Sequence, residues 1–217
     1  MNSAVAVRAR RIRVTVPGPV YDDAVAVIVD GVVRAVGPVA QVPVPAGAEL
    51  LDLGSAVVLP GLIDAHVHLA LEAGEDAPAA VLGVPDDEVA ARMIANAHAL
   101  LAAGVTTARD LGAPTGAALA ARAALAEQGG LRLLVTGAPI TAAGAHLHFF
   151  GGATSTADDA AELVRQQAAA GVDWIKLVLS GGEITPGSDP RAPALPAAAA
   201  RAAVAAAHAL GRPVAAH

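Results

Sequence analysis

The sequence predicts an α/β fold in which a small all-β unit precedes alternating strands and helices. Three observations favour this class. The chain is 55% hydrophobic and only 2% aromatic, so a folded core must be built mainly from Ala, Val and Leu. Its first part contains Val-rich segments separated by turn residues, which is typical of short strands. From Pro60 onward, short apolar segments alternate with longer helical ones, which indicates βαβ units and a parallel sheet.

The all-β unit is predicted to contain a hairpin and its neighbouring strands. VAVRARRIRV (5–14) has the composition of one strand, and AVAVIVDGVVRAVG (24–37) that of two. Between the two Val-rich arms, Asp30-Gly31 favours a two-residue hairpin turn, because both residues tolerate a positive φ. ELLDLGSAVVLP (49–60) supplies the last extended segment.

From Pro60, five strands are predicted to alternate with four helices. Apolar and β-branched residues indicate the strands, Asp86 and Asp87 lie in the first turn of the first helix, and glycines indicate helix ends. The predicted strands are LIDAHVHL (62–69), VTTARDLG (105–112), LRLLVTG (131–137), WIKLVLSGG (174–182) and PVAAH (213–217). The predicted helices cover 85–103, 115–128, 156–170 and 194–210, and long loops cover 138–155 and 182–193.

The distribution of loops predicts the topology. Long loops follow the carboxyl ends of strands, and short glycine-capped turns lead back into them, which is typical of a TIM-type (β/α)8 barrel with its chemistry on the loops after the strands. Such a barrel needs eight strands, and the pattern accounts for about five. An open sheet of five apolar strands would expose two edges and one apolar wall, so we expect a partial barrel that needs a complement.

Composition excludes several classes of protein. A net charge of -6 without a basic cluster argues against a nucleic-acid partner. The absence of cysteine excludes disulfides and thiolate zinc sites and agrees with a cytoplasmic protein. Charged residues interrupt the N-terminal segment, and Arg201 and His208 interrupt the Ala-rich segment 194–210, so no membrane partner is expected.

Two histidines lie two residues apart in GLIDAHVHL (61–69). Side chains at i and i+2 of a strand share one face about 6.5–7 Å apart, so His66 and His68 can bind one metal ion. An isolated pair of this kind is also compatible with core histidines. Its position at the carboxyl end of the first barrel strand, where barrel enzymes hold their ligands, favours a metal-dependent hydrolase.

A lysine lies in the middle of the apolar strand WIKLVLSGG (174–182). Lys176 must either reach water with its long side chain or serve a chemical task. A desolvated lysine has a lowered pKa and can be a neutral nucleophile, either in Schiff-base chemistry or toward carbon dioxide. The carbamate formed with carbon dioxide has two anionic oxygens, which could bridge two cations near His66 and His68.

Three further histidines are candidates for the same site. His217 ends the fifth strand at the same level and is predicted to complete the cluster, with fraying of a last residue as the alternative. His146 and His148 lie in ITAAGAHLHFFGG (140–152). This loop is predicted to close over a substrate, with one imidazole polarising a carbonyl; a mobile surface loop is the alternative.

Four other polar residues are predicted to be structural. His98 and His208 lie among alanines within helices. Arg109 and Asp110 follow the second strand, where they could pair with each other.

Five segments resemble the amidohydrolase superfamily in their order and spacing. They are LPGLIDAHVHL, AGVTTARDLG, ITAAGAHLHFFGG, VDWIKLVLSGG and PVAAH. The resemblance is closest to the imidazolonepropionase-like and Xaa-Pro dipeptidase-like branch, and it extends from about residue 20 to the end. It implies that residues 1–59 are the N-terminal part of a small β-sandwich domain, and that residues 60–217 are the N-terminal portion of the (β/α) barrel.

The resemblance also implies roles for individual residues. His66 and His68 would bind the first of two divalent metal ions, expected to be zinc, and His217 would bind the second. Lys176 would be the carboxylated lysine that bridges the two metals, with carbon dioxide supplying the carbamate. His146 would contact the substrate.

Two further family features would lie beyond residue 217: a metal-binding histidine on strand six and an aspartate on strand eight that activates the water. The predicted function is therefore hydrolysis of an amide, cyclic amide or dipeptide bond by a metal-activated water, in a hetero-oligomer with a complementary chain that supplies strands six to eight. Two alternatives stay open. One is a truncated fragment or a non-catalytic interaction subunit; the other is an aldolase-like barrel in which Lys176 forms a Schiff base.

Overall fold

The computed structural model describes residues 3–72 and 76–217 and divides the chain into two compact units, Met1–Gly61 and Leu62–His217. Within these described residues, every helix is too short or too polar to cross a membrane. The helices are α1 (Asp86–Ala102), α2 (Thr115–Gln128), α3 (Ala157–Ala170) and α4 (Ala197–Ala209). The strands are β1 (Ala4–Arg13), β2 (Val20–Val29), β3 (Val32–Pro38), β4 (Glu49–Asp52), β5 (Val57–Val58), β6 (Leu62–Val67), β7 (Val105–Asp110), β8 (Arg132–Val135), β9 (Thr141–Ala142), β10 (Ala153–Thr154), β11 (Ile175–Leu177) and β12 (Val214–Ala216).

The first unit forms one five-stranded sheet with the order β3-β2-β1-β4, in which β5 also pairs with β1. The predicted hairpin is confirmed: β2 and β3 are antiparallel, and Asp30 and Gly31 between them have φ values of 51° and 74°. Positive φ at both positions is what a tight two-residue hairpin turn requires. The described residues of this unit form a single sheet layer, so the second layer of the expected sandwich stays a prediction.

The second unit has a mixed α/β fold built on parallel strands. β6, β7 and β8 form one parallel ladder, and β11 and β12 form another. The end of β8 meets the start of β11, because the carbonyl oxygen of Val135 accepts hydrogen bonds from the backbone N–H groups of Asp173 (2.9 Å) and Trp174 (3.3 Å). The strands predicted for a barrel are present, but they pair as separate ladders, and a closed barrel is not established.

The helices follow the predicted boundaries to within three residues. α2 has the predicted limits, and α3 begins one residue after Thr156, whose side chain accepts a hydrogen bond from Asp159 N at 3.1 Å and so caps the helix. α4 begins at Ala197 rather than 194 because Pro196, with ψ of 139°, is not helical and precedes the first turn. Ala-rich faces of these helices are buried, which allows close packing against the strands.

Two segments differ from the prediction. The predicted strand 174–182 is regular only over β11, because the chain then turns and Gly181 N donates to the carbonyl oxygen of Ala192. The predicted loop 138–155 contains the short parallel pair of β9 and β10 and a 3-10 turn, with Phe149 and Phe150 buried in the core. Both differences arise because tertiary contacts override local composition.

Candidate active site

The candidate site lies in the second unit, where parallel strands end. His66 and His68 lie at the end of β6, Lys176 lies within β11, and His217 follows β12. The ring centroids of His66 and His68 are 5.4 Å apart. Burial lowers the pKa of His66, and the positive charges of Lys176 and His217 lower it further, which places these groups within electrostatic reach of one another.

His68 is held in a defined orientation. Its Nδ1 lies 3.0 Å from the carbonyl oxygen of Gly112, and since a carbonyl can only accept, Nδ1 carries the proton and Nε2 is left bare. Burial lowers the pKa of His68 to about 4, so the ring is neutral at neutral pH. The ring stacks on Phe150 with centroids 6.0 Å apart. A side chain at Gly112 would lie 2.9 Å from Cε1 of His68, so this orientation needs glycine there.

Asp110 supports the same turn. Its two carboxylate oxygens accept the backbone N–H groups of Leu69 at 2.7 Å and Gly112 at 2.9 Å, on either side of His68. Full burial raises the pKa of Asp110 to about 7. The expected pairing of Arg109 with Asp110 is wrong, because neighbouring residues of a strand point to opposite faces.

The side chain of Arg109 instead contacts residues next to His66 and Lys176. Its Nε donates to the carbonyl oxygen of Ala65 at 2.8 Å, one residue before His66. Its guanidinium lies 4.3 Å above the ring of Trp174, two residues before Lys176. Arg109 therefore connects the strand of the two histidines with the strand of the lysine.

Lys176 is fully buried, and its Nζ has no hydrogen-bond partner among the residues the structure describes. Burial, followed by the nearby charge of Arg109, lowers the pKa of Lys176 to about 8. The sequence left two possibilities for this lysine, a side chain that reaches water or one that serves a chemical task. The burial of Lys176 excludes the first, because its side chain does not reach water. A buried amine without a partner costs stability, which makes Lys176 a candidate for a chemical role.

His146 is buried, which excludes the mobile surface loop as a description of its surroundings. Its Nδ1 lies 2.9 Å from the hydroxyl oxygen of Thr185, and its ring centroid lies 4.8 Å from that of His217. Burial, then the charges of His217 and Lys176, lower the pKa of His146 to about 4. The loop therefore brings His146 to the strand ends, as a substrate contact would require.

His217 and His148 have mainly backbone partners. The backbone N–H of His217 donates to the carbonyl oxygen of Leu177 at 2.9 Å, and its Nε2 lies 3.1 Å from the carbonyl oxygen of Gly181, so the end of β12 is held rather than frayed. The Nδ1 of His148 lies 2.8 Å from the carbonyl oxygen of Ala145, and its ring packs edge-on against Phe149. His148 stays a proposed substrate contact.

The other two histidines lie on exposed helix surfaces. His98 on α1 has its Nε2 3.2 Å from the side-chain oxygen of Gln128, and His208 lies in the last turn of α4. Both positions agree with the structural role predicted for them.

The fit of metal ions can be tested on these distances. Within residues 3–72 and 76–217, no three His, Cys, Asp or Glu side chains lie close enough together to hold a metal ion. Two imidazoles bound to one zinc at about 2.1 Å have ring centroids about 5 Å apart. The 5.4 Å separation of His66 and His68, and the bare Nε2 of His68, fit such a pair. The unpartnered Nζ of Lys176 fits the carbamate that would add the missing anionic ligand.

Comparison with known proteins identifies the family. The sequence profile described as the amidohydrolase family matches residues 57–217. This chain belongs to the amidohydrolase family. An imidazolonepropionase of Deinococcus deserti is 40% identical over 74 residues, which are 33% of this chain and 18% of the relative. A 5-methylthioadenosine/S-adenosylhomocysteine deaminase of Nitratidesulfovibrio vulgaris is 49% identical over 53 residues, or 24% of this chain and 12% of the relative.

The amidohydrolase fold is also found in solved structures. A Xaa-Pro dipeptidase with methionine bound in its active site superposes with a TM-score of 0.87 at 23% identity, over 99% of this chain and 56% of the dipeptidase. The predicted resemblance to the imidazolonepropionase-like and dipeptidase-like branch is confirmed. The chain spans about half the length of this structure and a smaller share of the two curated relatives.

Several residues of this amidohydrolase site were not identified from sequence. Thr185 and the glycines at 112, 181 and 182 contact the histidine rings, and Trp174 stacks on Arg109. The glycines at the carboxyl ends of the predicted strands 105–112 and 174–182 were a signal, because backbone approaches a functional group closely only where a Cβ is missing. The role of Thr185 had no local signal.

Proposed function

We propose that this chain forms part of the catalytic centre of a metal-dependent hydrolase that cleaves an amide, cyclic amide or dipeptide C–N bond. The observation that supports it most is the fully buried Lys176 amine, which is unpartnered among the described residues and whose charge acts on His66, His68 and His146. Desolvation without a partner is costly, so a chemical role explains it better than a structural one. Family membership supports the same conclusion.

In this proposal His66 and His68 would hold one divalent cation, His217 would hold a second, and a carbamate on Lys176 would serve as a ligand shared by the two. Imidazole and carboxylate-type ligands suit zinc, which is the cation we propose. When bound, the cations supply Lewis acidity for the scissile carbonyl and lower the pKa of a water toward neutrality.

Lys176 gains its carbamate when the neutral amine attacks carbon dioxide. The Nζ–C bond forms, one C–O double bond opens to an anionic oxygen, and one amine proton leaves to solvent. The lowered pKa of Lys176, about 8, increases the fraction of neutral amine at neutral pH. Burial would then protect the carbamate from water, and the carbamate would replace an amine that has no hydrogen-bond partner among the described residues.

The histidines divide into two roles. His68 is oriented by the Gly112 carbonyl so that its bare Nε2 faces away from that bond, which suits a metal ligand. His146, held by Thr185, donates a hydrogen bond to the substrate carbonyl and withdraws electron density from it. His148 contacts a more distal part of the substrate.

The remaining parts of the centre are proposed to come from elsewhere. We propose a complementary polypeptide that supplies strands six to eight and the carboxylate that moves the proton. The fact that supports this is that the chain spans 56% of the dipeptidase structure. The alternative is a fragment or an interaction subunit without catalysis, which would bind metal only incidentally.

The test is metal content together with hydrolysis of amide, cyclic amide and dipeptide substrates, measured on this chain combined with a chain that supplies the missing strands. Lys176→Ala should lose both properties, because it removes the bridging ligand. His208→Ala, on the exposed face of α4, is the matched control and should retain both. Full metal content and turnover in Lys176→Ala would contradict the proposal.

A second candidate is supported by one observation. The charge of Arg109 close to a buried lysine also suits a Schiff-base lysine, because a neighbouring cation keeps the amine neutral. Borohydride reduction with a carbonyl substrate separates the two candidates. Covalent trapping on Lys176 would favour the aldolase-like reaction, and its absence alongside metal-dependent hydrolysis would favour the hydrolase.

A further inference from the structure

The hydroxyl of Thr185 joins two loops at the candidate site. The side chain of Thr185 is buried, and its Oγ1 lies 2.9 Å from Nδ1 of His146 and 2.9 Å from the backbone nitrogen of Leu147. Thr185 lies 39 residues from His146 along the chain. One hydroxyl thus contacts both the imidazole and the backbone of the His146 loop.

The protons in this group can be assigned by counting donors and acceptors. A hydroxyl offers one proton and two lone pairs, and the Leu147 N–H can only donate to it. If Nδ1 of His146 also donated, the hydroxyl proton would be left buried without a partner, which destabilises the fold. If the hydroxyl donates to a bare Nδ1, all three groups are satisfied.

We propose that Thr185 is a positioning residue that fixes His146 in the tautomer with a bare Nδ1 and a protonated Nε2. His146 then presents a permanent N–H donor rather than an acceptor. This matches the need of a developing oxyanion on the substrate carbonyl, a step that rests on the proposed hydrolase function.

The position of the ring is set by its packing, separately from its protonation. Gly182 lies against His146, and a Cβ there would be 2.6 Å from Cε1 and 2.7 Å from Cδ2. The ring atom nearest to that Cβ is Nε2, so the backbone of Gly182 packs against the Nε2 end of the ring. Glycine is therefore required for the ring to take this position, and Thr185 determines which nitrogen carries the proton.

The tautomer can be measured directly on this chain. Long-range proton–nitrogen correlation NMR distinguishes bare from protonated ring nitrogens. The sample is the chelator-treated assembly with the complementary chain, in which this chain alone carries ¹⁵N-histidine, at about pH 8, above the ordinary histidine pKa of about 6.5. His146→Gln identifies the signals by their loss. We expect Nδ1 of His146 to be bare and hydrogen-bonded and Nε2 to be protonated. A protonated Nδ1 as the main form would overturn the proposal.

Two matched variants separate positioning from packing. Thr185→Ser keeps the hydroxyl and should keep the wild-type signals, whereas the isosteric Thr185→Val removes it and should move the Nδ1 signal toward that of a free bare nitrogen. An unchanged Nδ1 signal in a folded Thr185→Val, or a changed one in Thr185→Ser, would contradict the assignment. If Thr185→Val does not fold, the spectra of the wild type and of Thr185→Ser still test the tautomer assignment.

A kinetic measurement adds the link to function. In the assembled enzyme, Thr185→Val should lower kcat about tenfold or more with little change in KM, and Thr185→Ser should stay within about twofold of wild type. A KM effect with unchanged kcat would contradict the role of His146 as a donor in the transition state. The expected tautomer without any hydrolysis would disprove the proposed function and leave the role of Thr185 intact.

Discussion

At the scale of single residues, Lys176 is the clearest conflict between stability and chemistry. Its ammonium form loses hydration on burial, and the described residues provide no hydrogen-bond partner in exchange. The pKa of Lys176 falls to about 8 in the fold, while an unfolded lysine has a pKa of about 10.4. The folded chain therefore binds fewer protons than the unfolded chain between these two values.

We expect Lys176→Met to stabilise the metal-free assembly of this chain with its complementary chain. Below about pH 8 the folded state of the wild type contains a buried ammonium that burial disfavours. At pH 7 the free energy of unfolding of the variant should therefore exceed that of the wild type by on the order of 1–3 kcal/mol. The wild-type free energy of unfolding should rise between about pH 8 and 10.4, and over this range the difference in stability between the wild type and Lys176→Met should disappear. Denaturant titrations at several pH values measure this, with Leu177→Met as the buried control. A less stable Lys176→Met at pH 7 would show that the lysine stabilises the fold.

Replacing the different histidines should have different effects on metal binding and turnover. His66→Ala and His68→Ala should abolish metal binding in the assembled enzyme, because a cation that loses one of two protein ligands is held mostly by water. His146→Ala should retain metal and lose turnover by about 10²-fold or more. His98→Ala, at an exposed position on α1, should change neither. Metal stoichiometry and kcat for the four variants check this ranking, and metal retained in His66→Ala would refute the assignment of the ligands.

At the scale of elements, Gly181 and Gly182 after β11 allow the backbone to approach the histidine rings of the candidate site. The carbonyl oxygen of Gly181 lies 3.1 Å from Nε2 of His217, and Gly182 packs against the ring of His146. One turn of backbone thus contacts two of the candidate histidines. A regular strand could not do this, because its side chains would hold the backbone away from the rings.

Gly182→Ala should displace His146 or this turn. The new Cβ would lie 2.6 Å from Cε1 of His146, which is shorter than real carbon contacts, so we expect a loss of about 1–3 kcal/mol in unfolding free energy and a larger loss of turnover. Gly130→Ala is the matched control, since its Cβ would lie 3.8 Å from the nearest atoms, in ordinary contact. Thermal unfolding and kcat measure the two effects. Equal behaviour of the two variants would contradict the close packing at Gly182.

At the scale of the whole molecule, the second unit exposes apolar residues on a strand that pairs with one neighbour among residues 3–72 and 76–217. Leu62 is 57% exposed and Ile63 is 73% exposed, both on β6, which pairs with β7 along one edge. Strands with an unpaired edge and apolar side chains tend to associate with other chains.

We expect chain 1–217 alone to be oligomeric or aggregated, and to become soluble and compact with a complementary chain that supplies three further barrel strands. Size-exclusion chromatography with light scattering measures the change, and Ile63→Lys should reduce association of the isolated chain while Thr106→Lys, exposed on β7, should not. A monodisperse monomer of the isolated chain that unfolds cooperatively would contradict this expectation.

Local patterns were enough to locate the helices and most strands of this chain and to select candidate residues for its site. The Asp30-Gly31 hairpin and the limits of α2 follow from turn and capping preferences that neighbouring residues determine. The histidine pair of β6 and the lysine of β11 could be selected because strand periodicity and an isolated polar residue in an apolar segment are visible in sequence. The family resemblance was confirmed for the same reason, since it rests on the order and spacing of these segments.

Only the tertiary structure decided the protonation and contacts of the site. The tautomer of His68 depends on a carbonyl 44 residues away, and that of His146 on a hydroxyl 39 residues away. Arg109 contacts Ala65 and Trp174 instead of Asp110, and β11 is shorter than its composition suggests. Each of these features is set by which distant segments meet in space, because burial and hydrogen bonding act between neighbours in the fold, whereas a local pattern contains only neighbours in the chain.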